Sequence, residues 1–588
     1  MASGRRDGDA AGPGVERVPV GEAAEAYVEA LIAQGVTHLF LNPGTDTFPI
    51  QEALSKLATL GRPVPRTVLC LFETVALAAA HGYYAATGQP QAVLVHVDVG
   101  TQNLGGMLHN AQRGRAAVVV TGGRAPYTTN PAVRGSRDMY IHWLQEQPDQ
   151  HGIVRNYVKW DYELRRADQM GEAVARAFQL AASDPPGPTY LTLPREPLME
   201  RLGAADIYQP ERFPPARVGA GDPEALSELA RLLVRAKRPL VLTGTTGRSA
   251  AGYRSLLRLA ELLALPVVEW RERANFPSDH PLHQGDDPAP LLEAADLVLV
   301  LDHDVPYIPT RTRPAPNATV VQIDRDPIKE RVPLWTFPVD LPIRADTGRA
   351  LDRIADEAAG LLTAGDRPRI AARREALAAR HARLHEEWDA AADAGRARPM
   401  GAAWVGRCLA QLLAEAPECI VVDELVTNNA TVWRQVPVRQ PGTWFGSGGS
   451  ALGWGLGAAL GVKLAHPDRP VLALVGDGSF VFGAPLAALW AAQVQGAPIL
   501  VVIFNNTCYN ATKRPLVANY PEGYSVRANQ FVGIDLLPAP RYDRLAAVVD
   551  AHGERVEDPD EVLPALRRGL ARVRAGQSVI LDMVLAHP

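Results

Sequence analysis

Two short polar motifs follow two apolar segments in the last third of the sequence. Gly476-Asp477-Gly478 comes directly after the run VLALV, and Asn505-Asn506 comes directly after the run ILVVIF. Such runs predict buried strands of a parallel sheet, whose carboxyl ends meet at one edge where ligands bind. Carboxylate and carboxamide oxygens suit Mg²⁺ that carries a diphosphate, and glycine lets backbone N–H groups approach a phosphate. Gly-Asp-Gly alone is a common strand-to-turn tripeptide, but the pair of motifs predicts a metal-diphosphate site.

This pair of motifs resembles the binding signature of thiamine-diphosphate (ThDP) enzymes, in which GDG is followed by NN one helix and one strand later. The resemblance implies that Asp477, Asn506 and the main-chain carbonyl of Cys508 bind Mg²⁺, with Gly478 and Ser479 beside the diphosphate. It extends over nearly the whole chain, in the order used by pyruvate oxidase-like, acetolactate synthase-like and benzoylformate decarboxylase-like members.

A glutamate, Glu73, opens the helix predicted over ETVALAAAHGYYAATG. A glutamate in the first turn of a helix is usually explained by the helix macrodipole. The segment FETVALAAAHGYYAATGQP is similar, however, to the family's N-terminal helix, whose leading glutamate contacts the aminopyrimidine ring of ThDP. A carboxyl group shielded from water there stabilises the imino tautomer that removes the C2 proton. The resemblance makes Glu73 the main catalytic candidate.

Two further candidates lie at predicted strand ends in the same region. Thr45 belongs to the turn Asn42-Pro43-Gly44-Thr45, where a helix N-cap is the alternative explanation. His96 lies on the predicted strand QAVLVHVDV, before the turn at Gly100, where a hydrogen-bonded core histidine is the common alternative. NPGT and HVDVGTQN are similar to the benzoylformate decarboxylase segments that carry a substrate-facing serine and histidine. The resemblance implies that Thr45 and His96 face the substrate.

Two segments of the C-terminal region add cofactor-binding candidates. After the predicted strand CIVVDE, Thr427 and Asn428 supply hydroxyl and amide donors that we expect to meet the terminal phosphate. In the glycine-rich segment before the helix AALGVKLA, Leu452 aligns with the bulky apolar residue that the family wedges between the two rings of ThDP. Such a wedge bends the cofactor so that its own base approaches C2.

Three other segments bear on the substrate. Gln145-Glu146 occupies the position of a Gln-Glu pair near the substrate entrance of acetolactate synthase-like enzymes. Where benzoylformate decarboxylases carry a second substrate-facing histidine, this chain has Tyr307 or Ile308. The segment after Asn506 is predicted to be a substrate lid, with a solvated loop as the alternative; its candidate contacts are Tyr509, Asn510, Lys513 and Tyr520.

Composition excludes several classes of function. The formal net charge is −5 and no basic patch is evident, so we expect neither a nucleic-acid nor a membrane partner. The four cysteines show no CxxC spacing, which predicts neither disulfides nor a zinc site and fits a reducing, cytoplasmic location. No signal peptide and no apolar run of membrane-spanning length is evident.

The predicted fold class is α/β, with three doubly wound α/β domains whose parallel sheets are flanked by helices. A flexible tail (residues 1–16) precedes a pyrimidine-binding domain (17–200), and a Rossmann-like middle domain (215–360) follows. A charged helical linker (361–400) leads to a diphosphate-binding domain (401–588). The middle domain of the family binds FAD, ADP or no nucleotide; flavin-binding relatives differ from the segment LDHDVPYIPTR, so we expect no FAD.

The resemblance implies a ThDP- and Mg²⁺-dependent enzyme that cleaves or forms C–C bonds next to a carbonyl group. We expect a 2-oxo acid decarboxylase or carboligase similar to acetolactate synthase; the alternatives are a lyase of 2-hydroxyacyl-CoA or 2-hydroxy ketones and a non-catalytic partner subunit or paralogue. The family joins the glutamate of one subunit to the metal-diphosphate site of another. The resemblance therefore implies a homodimer at minimum, and a homotetramer.

Overall fold

A computed structural model of the chain describes residues 13–270 and 272–588. The predicted tail lies outside the described residues up to position 12, and Val15 and Glu16 belong to the first strand, Val15–Pro19. The chain divides into two compact units. Among the described residues, the first comprises residues 13–217 with Ser447–Ala465 and Gly483–Gln495, and the second comprises the others.

The N-terminal region forms a six-stranded parallel sheet and a two-stranded antiparallel ribbon, β1-β8. Its strands are β1 Val15–Pro19, β2 His38–Asn42, β3 Arg66–Leu69, β4 Gln91–Val95, β5 Val118–Arg124, β6 Asp161–Glu163, β7 Thr189–Pro194 and β8 Ala204–Tyr208. Its helices are α1 Ala23–Ala33, α2 Phe48–Thr59, α3 Glu73–Thr87, α4 Val97–Gln102, α5 Gly105–Arg113, α6 Ile141–Leu144, α7 Met170–Ala182 and α8 Arg195–Met199. The order of the large sheet is β3-β2-β4-β5-β7-β6.

The core of this sheet follows from the sequence pattern. Strand β4 is buried along its whole length, as a strand covered on both faces must be. Helix α1 is buried over most of its surface, helices α2 and α7 place apolar residues on one face, and Tyr27, Ile50 and Phe178 from these helices pack in a single cluster. Burying these residues removes a large apolar area from water and stabilises the sheet. It also fixes the register of the strands, because a shift by one residue would expose the buried side chains.

The middle region forms a five-stranded parallel sheet in the order β10-β9-β11-β12-β13. Its elements are α9 Pro223–Arg235, β9 Pro239–Thr243, α10 Ala250–Leu263, β10 Val267–Glu269, α11 Ala289–Leu292, β11 Leu297–Leu301, β12 Thr319–Asp324, β13 Leu341–Arg344 and α12 Thr347–Leu361. Helix α9 starts with a side-chain cap: Asp222 accepts the N–H of Ala225 at 3.0 Å. The charged linker is helix α13, Arg367–Gly395, in which few residues are buried.

The C-terminal region forms a six-stranded parallel sheet in the order β15-β14-β16-β17-β19-β18. Its strands are β14 Ile420–Glu424, β15 Trp444–Phe445, β16 Val471–Gly476, β17 Leu500–Asn505, β18 His552–Val556 and β19 Val579–Val584. Its helical segments are α14 Ala402–Glu415, α15 Asn429–Gln435, α16 Trp454–Ala465, α17 Asp477–Phe482, α18 Pro485–Val494, α19 Asn510–Asn519, α20 Tyr524–Ala528 and α21 Val562–Arg574. Helices α16 and α18 belong to the first compact unit.

The predicted fold class is confirmed, because all three large sheets are parallel and helices flank them. One predicted element is wrong. Strand β4 ends at Val95 instead of continuing to Val99, and Val97–Gln102 is the helix α4. The run VHVDV has the residue types of a strand, but helix α4 turns the chain away at the carboxyl edge of the sheet. In the described part of the chain, no helix combines the length and apolar character that crossing a bilayer requires.

Candidate functional site

Asp477 joins the two motifs of the C-terminal sheet. It directly follows β16, Asn506 directly follows the neighbouring strand β17, and the two strands pair in parallel. One carboxylate oxygen of Asp477 accepts the N–H of Gly478 at 2.8 Å, and the other accepts the N–H of Thr507 at 2.7 Å. The Asp477 carboxylate therefore ties the tips of two adjacent strands together.

The oxygen donors around Asp477 fit a hard divalent cation. The predicted ligands Asp477, Asn506 and Cys508 are each buried, and they offer a carboxylate, a carboxamide oxygen and a main-chain carbonyl. Burial raises the pKa of Asp477, although the two main-chain N–H donors act against this. Among residues 13–270 and 272–588, no lysine or arginine forms an ion pair with Asp477. A Mg²⁺ ion would supply the positive charge that this buried carboxylate requires.

Gly478 lets the ring of Tyr509 pack closely against the turn after β16. A Cβ at this position would lie 2.6 Å from the ring of Tyr509, closer than side chains pack. Ser479 is buried, and its hydroxyl donates to the main-chain carbonyl of Glu424 at 3.1 Å, which links this segment to the end of β14. Thr427 and Asn428 follow that strand end, and Asn428 is the N-cap residue of α15 without a side-chain capping bond.

Glu73 is held by two asparagine side chains. It is the first residue of α3 and is 5% exposed. One carboxylate oxygen accepts the side-chain N–H of Asn42 at 2.9 Å, and the other accepts that of Asn103 at 2.9 Å. Each oxygen retains a lone pair. Glu73 thus has a fixed orientation and can still make a further charge-assisted hydrogen bond with a ring nitrogen.

His96 is the residue immediately after β4 and the N-cap of α4, so it lies at the carboxyl edge of the sheet and not within the strand. Its Nδ1 is hydrogen-bonded to a carboxylate oxygen of Asp46, a fully buried residue that was not predicted from the sequence. Burial of the ring works to lower the pKa of His96, but the hydrogen bond and charge of Asp46, aided by Asp98 and Gln145, raise it above its ordinary value.

Thr45 is exposed in the turn between β2 and α2. Its main-chain carbonyl accepts a long hydrogen bond, 3.5 Å, from the guanidinium of Arg195. The alternative explanation of Thr45 as the cap of α2 is wrong, because Thr47 is the N-cap residue and its hydroxyl bonds to the backbone of Gly44.

Leu452 is half-buried two residues before α16, in a segment that Asn110 holds. The side chain of Asn110 accepts the N–H of Ala451 at 3.0 Å and donates to its carbonyl at 2.8 Å. Helix α16 packs tightly against α3 through Gly461: a Cβ there would lie 1.9 Å from the carbonyl oxygen of Ala79. The segments that carry Glu73 and Leu452 are therefore rigidly connected within the first unit.

The remaining sequence candidates are the Gln-Glu pair, the two residues at the position of the second histidine, and the residues of the predicted lid. Gln145 is 5% exposed, and Glu146 forms an ion pair with Arg137. Tyr307 is buried and contacts Phe337 edge to face, whereas Ile308 is 45% exposed. In the predicted lid, Tyr520 is 67% exposed, and the ammonium of Lys513 donates to the carbonyl of Pro588 at 2.5 Å; Asn510 is buried and Tyr509 packs against Gly478.

Three domain models of one family match the chain in order. They are the thiamine pyrophosphate enzyme N-terminal TPP-binding domain (residues 21–153), the central domain (226–354) and the C-terminal TPP-binding domain (426–583). Together the three matches cover more than half of the chain. The chain belongs to the thiamine pyrophosphate enzymes.

Curated relatives span nearly the same length as this thiamine pyrophosphate enzyme. Benzoylformate decarboxylase of Pseudomonas aeruginosa is 29% identical over 502 residues, covering 83% of this chain and 86% of the relative. The acetolactate synthase large subunit of Mycobacterium tuberculosis is 28% identical over 576 residues, covering 96% and 97%. A solved structure, the ThDP-dependent 4-hydroxybenzoylformate decarboxylase of Rhodococcus jostii RHA1, superposes with a TM-score of 0.75 over 96% of this chain and 99% of that chain. At 22% identity the superposition supports the fold alone.

The matched domains contain the candidate residues of this thiamine pyrophosphate enzyme. Glu73, His96 and Thr45 lie in the N-terminal TPP-binding domain. Asp477, Asn506, Cys508, Leu452 and the Thr427–Asn428 pair lie in the C-terminal TPP-binding domain. Sequence reasoning missed Asp46, Asn42 and Asn103 as partners of candidate residues. Asn42 is the last residue of β2, Asp46 lies in the turn that follows it, and Asn103 directly follows α4, so the available signal was their position in polar segments after predicted strands.

Proposed function

We propose that this chain is a ThDP- and Mg²⁺-dependent enzyme that cleaves or forms the C–C bond next to a carbonyl group, with a 2-oxo acid as substrate. The observation that carries the proposal is the buried Glu73 carboxylate, which two asparagine amides orient at the start of α3. An activating carboxyl group for the aminopyrimidine ring must be shielded from water and fixed in direction, and Glu73 meets both requirements.

Each candidate residue has a separate role in this proposal. Glu73 would hydrogen-bond the aminopyrimidine ring, and Leu452 would lie between the two rings. Asp477, Asn506 and the Cys508 carbonyl would bind Mg²⁺, with Gly478, Ser479, Thr427 and Asn428 around the diphosphate. ThDP supplies, when bound, a nucleophilic carbon and an electron sink for the bond that breaks. His96 and Thr45 would exchange protons with the oxygen atoms of the bound 2-oxo acid.

The choice of a decarboxylase or carboligase is supported by relatives that carry those names, benzoylformate decarboxylase and acetolactate synthase. A name shared at this level of identity supports a reaction class and not a particular substrate. We therefore extend the proposal to 2-oxo acids as a class, with loss of CO₂ as the common step.

The assembly and location are part of the same proposal. We propose a homodimer at minimum and a homotetramer in the cell. Near the ends of β3 and β4, Leu71 is 48% exposed and Val99 is 47% exposed, and apolar side chains at these positions suit a subunit interface. All four cysteines are free and buried, which is compatible with the cytoplasm.

The test is a two-stage measurement on the purified chain. Calorimetry should first detect saturable binding of ThDP in the presence of Mg²⁺. Pyruvate, benzoylformate, branched 2-oxo acids and a 2-hydroxyacyl-CoA are then incubated with the loaded protein, and CO₂ and aldehyde are measured. Release of CO₂ from a 2-oxo acid supports the proposal. Aldehyde release from the thioester without CO₂ would favour the lyase, and absence of ThDP binding would favour a non-catalytic partner subunit.

A further inference from the structure

Two of the Asp–His pairs in the N-terminal domain, His151–Asp161 and His96–Asp46, differ in the partners of their ring nitrogens. In the first pair, His151 donates or accepts through both ring nitrogens: Nδ1 bonds to Asp161 at 2.9 Å and Nε2 bonds to the hydroxyl of Thr192 at 2.8 Å. Both nitrogens are used within the fold, so this pair is structural. In the second pair, Nδ1 of His96 bonds to Asp46.

The second pair occupies space that two glycines provide. A Cβ at Gly44 would lie 1.9 Å from Nδ1 of His96, and a Cβ at Gly123 would lie 1.2 Å from a carboxylate oxygen of Asp46. No side chain other than hydrogen is compatible with the pair at either position. The backbone of the turn after β2 and of strand β5 is therefore shaped around this imidazole and this carboxylate.

Polar and charged groups surround the partly exposed ring of His96. The ring is 20% exposed, while Asp46 is fully buried and uses its second oxygen to accept the N–H of Val97 at 3.2 Å. Gln145 helps to raise the pKa of His96, and its own amide nitrogen has no partner in the described part of the chain. The charged groups that face His96 are Asp46, beside α2, and Asp98, on α4.

We propose that Asp46 is a positioning residue that keeps Nδ1 of His96 protonated and fixes the ring so that Nε2 faces the substrate. A buried carboxylate that accepts from Nδ1–H selects this tautomer and stabilises the imidazolium form. This inference rests on the function proposed above, in which His96 exchanges protons with the 2-oxo acid. Nε2 gives its proton to the substrate carbonyl oxygen as negative charge develops there, and takes a proton back when a carbonyl re-forms in the product.

The test compares Asp46→Asn with the matched control Asp161→Asn, which alters the structural pair. His96 is titrated by its pH-dependent modification with diethyl pyrocarbonate, read by peptide mass spectrometry, so that no turnover is needed. For Asp46→Asn the midpoint should fall by about one pH unit or more, because an opposite charge at contact raises a histidine pKa by about 1–3 units. For Asp161→Asn the His96 midpoint should stay at the wild-type value.

Kinetics supply the second readout. With a 2-oxo acid substrate, Asp46→Asn should reduce kcat by roughly 100-fold and shift the pH profile downward, with ThDP affinity unchanged. An unchanged His96 midpoint in Asp46→Asn would overturn the inference, even if activity fell, because the role of Asp46 would then be structural. If no substrate turns over, the proposed function fails while the titration still decides the role of Asp46. Asp46→Ser, which keeps an acceptor for the N–H of Val97, replaces the asparagine variant if that variant misfolds.

Discussion

Replacement of Gly461 by alanine tests the close packing of α3 against α16. A Cβ at Gly461 would lie 1.9 Å from the carbonyl oxygen of Ala79, and ordinary contact begins near 3.4 Å, so the helices must separate by about 1.5 Å. Alanine favours a helix over glycine by about 1 kcal/mol, and overpacking costs about 1–3 kcal/mol or more. Because backbone atoms form the contact, we expect a net loss of about 2 kcal/mol in the free energy of unfolding.

The separation would also move a candidate catalytic group. Glu73 is the first residue of α3, and a displacement of about 1 Å at a reacting group can cost about 100-fold in rate. We therefore expect Gly461→Ala to weaken ThDP binding and to reduce turnover at least tenfold. Denaturant unfolding followed by circular dichroism measures the stability, and calorimetry measures the ThDP affinity.

Gly360 in α12 is the matched control, since it is helical and exposed, and a Cβ added there would have no atom within 4 Å. Gly360→Ala should leave stability unchanged or raise it by up to about 1 kcal/mol. If Gly461→Ala is as stable as Gly360→Ala and binds ThDP normally, α3 and α16 are not in backbone contact at Gly461, and the reasoning is refuted.

Glu73→Gln should reduce turnover by about 100-fold or more with only a modest loss of ThDP affinity, measured by steady-state kinetics and calorimetry; near wild-type rates would remove Glu73 from its role. Dialysis against EDTA should abolish ThDP binding and Mg²⁺ should restore it, whereas Asp477→Ala should bind ThDP weakly at any Mg²⁺ concentration. Burial lowers the pKa of His303 from 6.5 to about 4 in the folded chain. Below pH 6.5 the unfolded chain therefore binds a proton at this histidine that the folded chain does not bind. About 3 kcal/mol of stability should therefore be lost between pH 6.5 and 4, and His303→Gln should show a shallower dependence in denaturant titrations; an equal slope in both proteins would exclude His303 as the cause.

Local pattern was sufficient to predict the sheets and the position of the metal-diphosphate candidates. Asp477 and Asn506 follow short apolar runs that indicate buried strands, and adjacent parallel strands present their ends at one edge. Glu73 was located at the start of a helix because the segment after it is rich in alanine, the strongest helix former. The catalytic roles of these residues stay predictions.

Contacts between distant segments could not be predicted in this way. Asp46 and His96 belong to different βα units, and neither residue carries a local signal of the other. Helix α4 was missed because VHVDV alternates β-branched valines with polar residues, a pattern that favours a strand. In the folded chain the strand ends at Val95, and tertiary contacts override this local preference. Asn42 and Asn103 likewise meet at Glu73 only in the folded chain, because Asn42 ends β2 and Asn103 follows α4, the helix after the neighbouring strand β4.

The two main-chain amides that hold Asp477 have a practical consequence for handling this enzyme. Main-chain N–H groups orient the carboxylate, so its orientation does not require a bound cation. A chain purified without added magnesium salts should accordingly keep the Asp477 carboxylate oriented and regain ThDP binding when Mg²⁺ is added. A preparation that loses activity on storage should then be treated by adding Mg²⁺ and not by refolding.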